Sequence, residues 1–286
     1  MTDEDEPASD RSRGGRLRWL ELRNGGSDVT ARVATAVPLV LLAIALVAIG
    51  GWVFAIGLFV LGVIALRELF SMFERLTPPI LAGFVGLLLL LVAAETGGPS
   101  RVLLALVVSL AVVFLISISD HQSTSLPGLA LAILGLVWIG LAFAHAIMLR
   151  DLVHGSAIVF LVLIATFITD TGAYFGGRTF GRKALAPSIS PAKTVEGLLI
   201  GIVAGTAAAW FTGLYFDWLS GVDALILGAS VAVIAPLGDL FESYVKREAG
   251  VKDSGTIFGA HGGVLDRLDA LCFSIVAGYY VWSALL

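Results

Sequence analysis

From Val33 to Leu66 the chain runs for more than thirty positions without a charged residue. A helix needs about 20 residues to cross a hydrocarbon core of about 30 Å, so this run is too long for one span. It divides into two short spans at Gly50 and Gly51. Further apolar runs at about 79–94, 101–119, 127–149, 156–176, 194–216, 222–241 and 267–286 predict seven more, nine in all. Backbone in lipid has no water to bond, which leaves helices or closed barrels, and long runs without alternation exclude a barrel. The pattern predicts an all-α polytopic membrane protein of about nine transmembrane helices.

The placement of basic residues tests this count, because Lys and Arg collect in cytoplasmic loops. With the N-terminus inside, sixteen of the eighteen Lys and Arg residues fall on the inner side, and only Arg101 and Arg150 fall outside. Residues 1–32 are polar, with an acidic cluster followed by arginines, and read as a disordered cytoplasmic tail. Residues 33–154 then form an N-terminal group of transmembrane helices, and 155–286 a C-terminal region that carries the chemistry. The expected location is the cell membrane, crossed many times. Composition agrees: only 14% of residues are charged, whereas soluble domains carry about 25%. The single cysteine, Cys272, lies in an apolar run and reads as a small buried hydrophobe.

Polar residues concentrate in two places, both on the predicted cytoplasmic side. The first, Asp170 to Glu196, reads DTGAYFGGRTFGRKALAPSISPAKTVE. Asp170 lies at the inner end of an apolar span, where an ionisable group is costly and points to a cation or phosphate partner. Gly172, Gly176, Gly177 and Gly181, interleaved with Arg178, Arg182 and Lys183, read as a loop that lets backbone and cations approach an anion. Positive-inside topology would put basic residues there in any case, so both readings stand. Ser190 before Pro191 reads as a helix cap. Lys193 and Glu196 form either an anchoring salt bridge or part of a substrate site.

The second place, Gly238 to Asp269, holds Asp239, Glu242, Lys246, Arg247, Lys252, Asp253, His261, Asp266, Arg267 and Asp269. Asp239 and Glu242 are three apart and share a helix face, as do Glu242 and Lys246 at four. Asp266 and Asp269 repeat the spacing of three at the start of the last span. Two facing carboxylate pairs offer hard oxygen ligands, which suit Mg²⁺ held together with substrate phosphates. His261, in AHGG, is either a base or phosphate donor or a loop histidine bonded to backbone. No ligand spacing suits zinc, and no GxSxG elbow supports a serine triad.

The run SYVKREAGVKDSGTIFGAHGGVLDRLD, Ser243 to Asp269, resembles the C-terminal signature of the phosphatidate cytidylyltransferases, or CDP-diacylglycerol synthases. GDLFES, DTGAYFGGRTFGRK and SPAKTVEG resemble further blocks of that family, so the likeness covers about the last 120 residues. One departure is Gly259, where many members carry Pro. The resemblance implies condensation of CTP with phosphatidic acid to CDP-diacylglycerol and pyrophosphate, with Mg²⁺ and an accompanying K⁺, by a homodimer in the lipid bilayer.

By motif position, the resemblance makes Asp239 and Asp266 metal-binding carboxylates, with Glu242 and Ser243 beside them. Asp170 joins the candidate metal set. Asp239, Asp266, Lys252, Asp253 and His261 are the candidate catalytic residues. Ser243, Lys246, Arg247 and Arg267 are expected on phosphates, with Arg178, Arg182, Lys183 and Lys193 on the triphosphate or the lipid head. No nucleic-acid partner is expected. The rival readings are another CTP-using membrane enzyme, such as a polyprenol kinase or cytidylyltransferase, and a transporter using Asp170 and Asp239.

Overall fold

The computed structural model describes residues 40–119, 125–257 and 262–286, so the N-terminal tail and His261 lie outside the described residues. Contacts divide the chain into two units, Met1–Ala45 and Leu46–Leu286. The described end of the first consists of Val40 to Ala45, which are helical and apolar and belong to α1 (Val40–Ile49). The second contains α2 (Gly51–Met72), α3 (Ile80–Ser119), α4 (Leu126–Gly135), α5 (Leu141–Asp151) and α6 (Gly155–Phe180). A hairpin of β1 (Ala184–Ala186) and β2 (Ser190–Thr194) follows, then α7 (Val195–Gly213), α8 (Gly221–Glu248) and α9 (Leu265–Leu285). One π-helical segment, Leu136–Gly140, joins α4 to α5, so Leu126–Asp151 acts as one span.

Among the described residues, seven helices are long and apolar enough to cross a membrane, against the nine spans predicted. The difference lies in α3, which joins the predicted spans 79–94 and 101–119 into one element of 40 residues. At 1.5 Å per residue it would be about 60 Å long, twice a hydrocarbon core. Its helical path is broken at Gly98, with φ of 67° and ψ of −160°, directly before Pro99. The other uncounted segment is α1, which is short, and the predicted span 33–49 begins outside the described residues.

Association of these helices cannot rest on burying apolar side chains, because lipid tails are as apolar as Leu. Close packing and small residues must contribute. The tightest case is α6 against α7, where Gly201 faces α6: a Cβ added there would lie 2.6 Å from the Thr169 carbonyl oxygen and 2.9 Å from Ala173 Cβ. The predicted glycine-rich anion loop is therefore corrected. Asp170 through Phe180 are helical, and Gly172 and Gly176 face Gly201, Ala204 and Ile200 of α7. Glycine in this stretch serves helix contact. The larger core is formed by Leu66, Leu69 and Phe70 of α2, Leu87 and Leu90 of α3, Ile139, Ile147 and Leu149, and Ile158 of α6. Outward-facing Leu103, Val107 and Phe114 stay exposed, as a lipid-facing surface requires.

The hairpin corrects a second expectation. Ser190 begins a strand, and the cap of the following helix is Thr194, whose hydroxyl accepts from Gly197 N–H at 3.1 Å. Thr194 has the extended backbone typical of an N-cap, with φ of −121° and ψ of 154°.

The two ends of α2 carry different chemistry. Near its start, Arg150 donates to the carbonyls of Val47 and Ala48 at 3.2 and 3.4 Å. Glu68, about 26 Å further along the axis, faces the polar loop before α9.

Candidate active site

Helices α8 and α9 meet backbone to backbone at Gly238, where an added Cβ would strike the Asp269 carbonyl and lie 3.0 Å from Ala270 Cα. Only the absence of a side chain permits this approach. Pro236, one residue earlier on the same helix than Leu237, removes one N–H from the α8 ladder just before the crossing. The approach sets Asp239 and Glu242 of α8 opposite Asp269 of α9. One carboxylate oxygen from each of the three lies within 4.8 Å of the others.

Charge around this cluster is unbalanced. Lys193, projecting from β2, pairs with Asp239 at 2.5 Å. Lys246 meets Glu242 Oε2 and Asp266 Oδ1, each at 2.7 Å. Asp170 on α6 is close enough for the charges of Asp239 and Lys193 to act on it. Asp170, Asp239, Glu242, Asp266 and Asp269 thus outnumber Lys193 and Lys246. Glu242 is fully buried, and its Oε1 has no hydrogen-bond partner among the described residues. A buried carboxylate oxygen without a donor is costly. Hard oxygens converging on one point, one of them orphaned, with more carboxylates than lysines about them, fit a divalent cation.

Asp266 has different surroundings. Its Oδ2 accepts from Ser254 N–H at 2.9 Å, the Ser254 hydroxyl at 2.8 Å and Gly263 N–H at 2.7 Å, while Oδ1 takes Lys246. The same-face argument for Asp239 and Glu242 matches their placement. Of the second pair, Asp269 turns to the α8 carboxylates and Asp266 to Lys246 and the loop.

The remaining candidates lie around this centre. Ser243 Oγ is 3.4 Å from Asp239 Oδ1. Arg247 donates to the carbonyls of Ile189, in the hairpin, and Val251, at 3.3 and 3.4 Å, so it links two polar segments. Lys193 and Glu196 do not pair with each other. Glu196 accepts instead from the N–H groups of Arg182 and Lys183 at 3.0 and 3.2 Å, holding the base of the hairpin to α7. Arg178 is exposed and donates to the Tyr174 hydroxyl at 3.2 Å, one turn earlier on α6. Arg182, Lys183, Lys252, Asp253 and Arg267 are exposed. Of the cations, Arg182 and Lys183 precede the hairpin that carries Lys193, Lys252 is two residues before Ser254, and Arg267 adjoins Asp266.

The sequence pattern of the Cytidylyltransferase family matches residues 30–285. The chain belongs to this family. It is 33% identical over 266 residues to the phosphatidate cytidylyltransferase of Bacillus subtilis (strain 168), covering 89% of this chain and 97% of that protein. A second relative of the same name, from Staphylococcus epidermidis (strain ATCC 12228 / FDA PCI 1200), is 31% identical over 247 residues, 85% of this chain and 94% of the relative. One from Helicobacter pylori (strain ATCC 700392 / 26695) reaches 44% over 121 residues, 42% of this chain and 44% of its own length. Family membership makes the chain a nucleotidyltransferase with a bundle of membrane-spanning helices around its polar centre.

Two residues of this cytidylyltransferase-family centre, Ser254 and Glu68, were not among the sequence candidates, whereas Asp269 was read with Asp266 as one of two carboxylate pairs suited to Mg²⁺. Ser254 carries no sign of its role, since a serine in a polar loop is commonplace. Glu68 had one available signal: it is a carboxylate near the end of an apolar span, the same signal that singled out Asp170.

Proposed function

We propose that the chain condenses CTP with phosphatidic acid, giving CDP-diacylglycerol and pyrophosphate for phospholipid synthesis. The observation that carries this reading is the Asp239, Glu242 and Asp269 cluster at a helix crossing, with Lys193 paired to Asp239 and Lys246 to Glu242. The relatives named phosphatidate cytidylyltransferase supply the substrates. In the reaction, an oxygen of the lipid phosphate bonds to the α-phosphorus of CTP while the bond from that phosphorus to the β-phosphate oxygen breaks. Pyrophosphate departs with the electron pair.

A phosphate monoester is already an anion near neutral pH, so little base work is needed. The protein's task is to bring two polyanions together and fix their geometry. Asp239, Glu242 and Asp269 would hold Mg²⁺, with Asp170 and Asp266 next to them and K⁺ as a companion ion. When bound, Mg²⁺ neutralises phosphate charge and the charge that builds on the leaving group. Lys193 pairs with Asp239 and Lys246 with Glu242, which orients these carboxylates. Ser243, Arg247, Lys252 and Arg267 bind phosphate oxygens from the α8–α9 side, and Arg178, Arg182 and Lys183 from the hairpin side. Asp253 and His261 complete the candidate catalytic set, His261 lying outside the described residues.

This reading places the site at the cytoplasmic face of the cell membrane, where CTP is present, with the N-terminus inside. Its support is the bias of Lys and Arg to one side, and the separation of Arg150 from Glu68 along α2. Homodimerisation belongs to the same proposal and rests on the resemblance.

The test offers labelled CTP to the purified chain with phosphatidic acid, polyprenol or polyprenyl phosphate, and separates the lipids by chromatography. Label is expected in CDP-diacylglycerol only. Label on a polyprenyl product alone would replace the reading with its nearest rival.

A further inference from the structure

We infer that Glu68, on α2 in the N-terminal half, is a positioning residue of the active site: it caps α9 from another helix and, through Ser254, orients Asp266 and the carboxylates beyond it. The inference rests on the transfer reaction proposed above. Glu68 is only 5% exposed, yet its oxygens are not orphaned. Oε1 accepts from Val264 N–H at 2.9 Å and Oε2 from Leu265 N–H at 2.8 Å, while Ser254 Oγ lies 3.3 Å from Oε2 as the longer arm of a shared bond.

The need for such a residue follows from α9 itself. Its N-cap position is Val264, which offers no side-chain acceptor, so its first N–H groups would be buried without partners. A carboxylate is the strongest acceptor for them, because the partial positive charge of the helix dipole lies at the same end. The carboxylate comes from a residue nearly two hundred positions earlier in the chain. Glycine at 263 makes room for it, since a Cβ at that position would overlap the Glu68 carboxylate.

Ser254 connects this cap to the reacting centre. Its single hydroxyl proton is shared unequally, mainly with Asp266 Oδ2 at 2.8 Å and weakly with Glu68 Oε2 at 3.3 Å, and its N–H also donates to Asp266. Asp266 holds Lys246, and Lys246 holds Glu242 of the carboxylate cluster. Glu68, Ser254, Asp266, Lys246 and Glu242 therefore form one continuous polar chain from α2 to the cluster. The oxygens of Glu68 are spent on α9 and Ser254, which separates its role from that of the cluster carboxylates.

The test compares wild type, Glu68→Gln, Ser254→Ala and the double variant, each purified and shown to be folded by monodisperse elution and circular dichroism. The glutamine keeps the shape but puts an NH₂ group where an acceptor is needed. Its kcat is expected to fall roughly 10–100-fold, the range for residues that orient ligands from behind. Ser254→Ala is expected to lower kcat as well, and the double variant to be little worse than Glu68→Gln alone, because both changes cut the same link. Amide hydrogen exchange at Val264 and Leu265 is expected to speed up in Glu68→Gln.

A folded Glu68→Gln with kcat within twofold of wild type overturns the inference, as do losses that multiply independently in the double variant. If Glu68→Gln does not fold, Ser254→Ala decides, and unchanged kcat in it overturns the inference. If the wild type makes no CDP-diacylglycerol, the proposed reaction has failed. The exchange rates of Val264 and Leu265 then judge Glu68 independently, and no change between wild type and Glu68→Gln overturns its placement.

Discussion

Replacing Lys246 by Met removes the one ammonium group that touches both α8 and α9 carboxylates. Its Nζ lies 2.7 Å from Glu242 Oε2 and 2.7 Å from Asp266 Oδ1. At an effective dielectric constant of about 20, each contact has a Coulomb energy of about 6 kcal/mol before desolvation is counted. Only 14% of the lysine side chain is exposed, so taking it out of water offsets most of that sum. What decides the variant is the charge left behind: Glu242 and Asp266 stay in place with Asp239 and Asp269 nearby and no counter-charge between them. Removing one partner of a buried ion pair costs about 3–5 kcal/mol, and that is the expected loss of stability. Reversible unfolding by SDS in mixed micelles, followed by tryptophan fluorescence, would measure it. Adding Glu242→Gln removes one of the stranded charges and should return more than half of the loss. A cost below about 1 kcal/mol, or an identical cost in the Glu242→Gln background, would refute the view that Lys246 holds the two helices together by charge.

Gly201→Leu should push α6 from α7, because the new Cβ meets the Thr169 carbonyl; a loss of about 1–3 kcal/mol is expected in the same unfolding assay, with reduced transfer as Asp170 moves away from Lys193. Arg247→Ala cuts the links to Ile189 and Val251, so KM for CTP should rise several-fold more than kcat falls, measured by steady-state transfer. Chelation by EDTA should stop transfer, and Mg²⁺ should restore it, whereas Na⁺ should not.

How far the sequence led depends on the range of the interaction. Apolar runs mark the long helices because lipid demands them locally, and the two runs read at 79–94 and 101–119 lie in one element, α3, broken at Gly98. Asp239, Glu242 and Lys246 were legible as one face because helical spacing is a local property. The glycines after Asp170 misled: the same residue type serves an anion loop or a helix contact, and only the presence of Gly201 opposite distinguishes them. The short hairpin was missed because two strands of 3 and 5 residues leave no periodic trace. Glu68 was out of reach for a different reason. Its partners at Ser254, Val264 and Leu265 are joined to it by the fold alone, so no spacing in the chain announces them.

The account depends most on the claim that the carboxylates at the α8–α9 crossing hold the cation on which transfer depends. The direct measurement is the rate of CDP-diacylglycerol formation by folded Asp239→Asn at saturating Mg²⁺, CTP and phosphatidic acid, with Asp266→Asn alongside. Asn keeps the size of the side chain and removes its charge. The account predicts that the rate falls by more than about 100-fold in Asp239→Asn, and that Asp266→Asn is likewise inactive. Retention of most of the wild-type rate in both variants would contradict it.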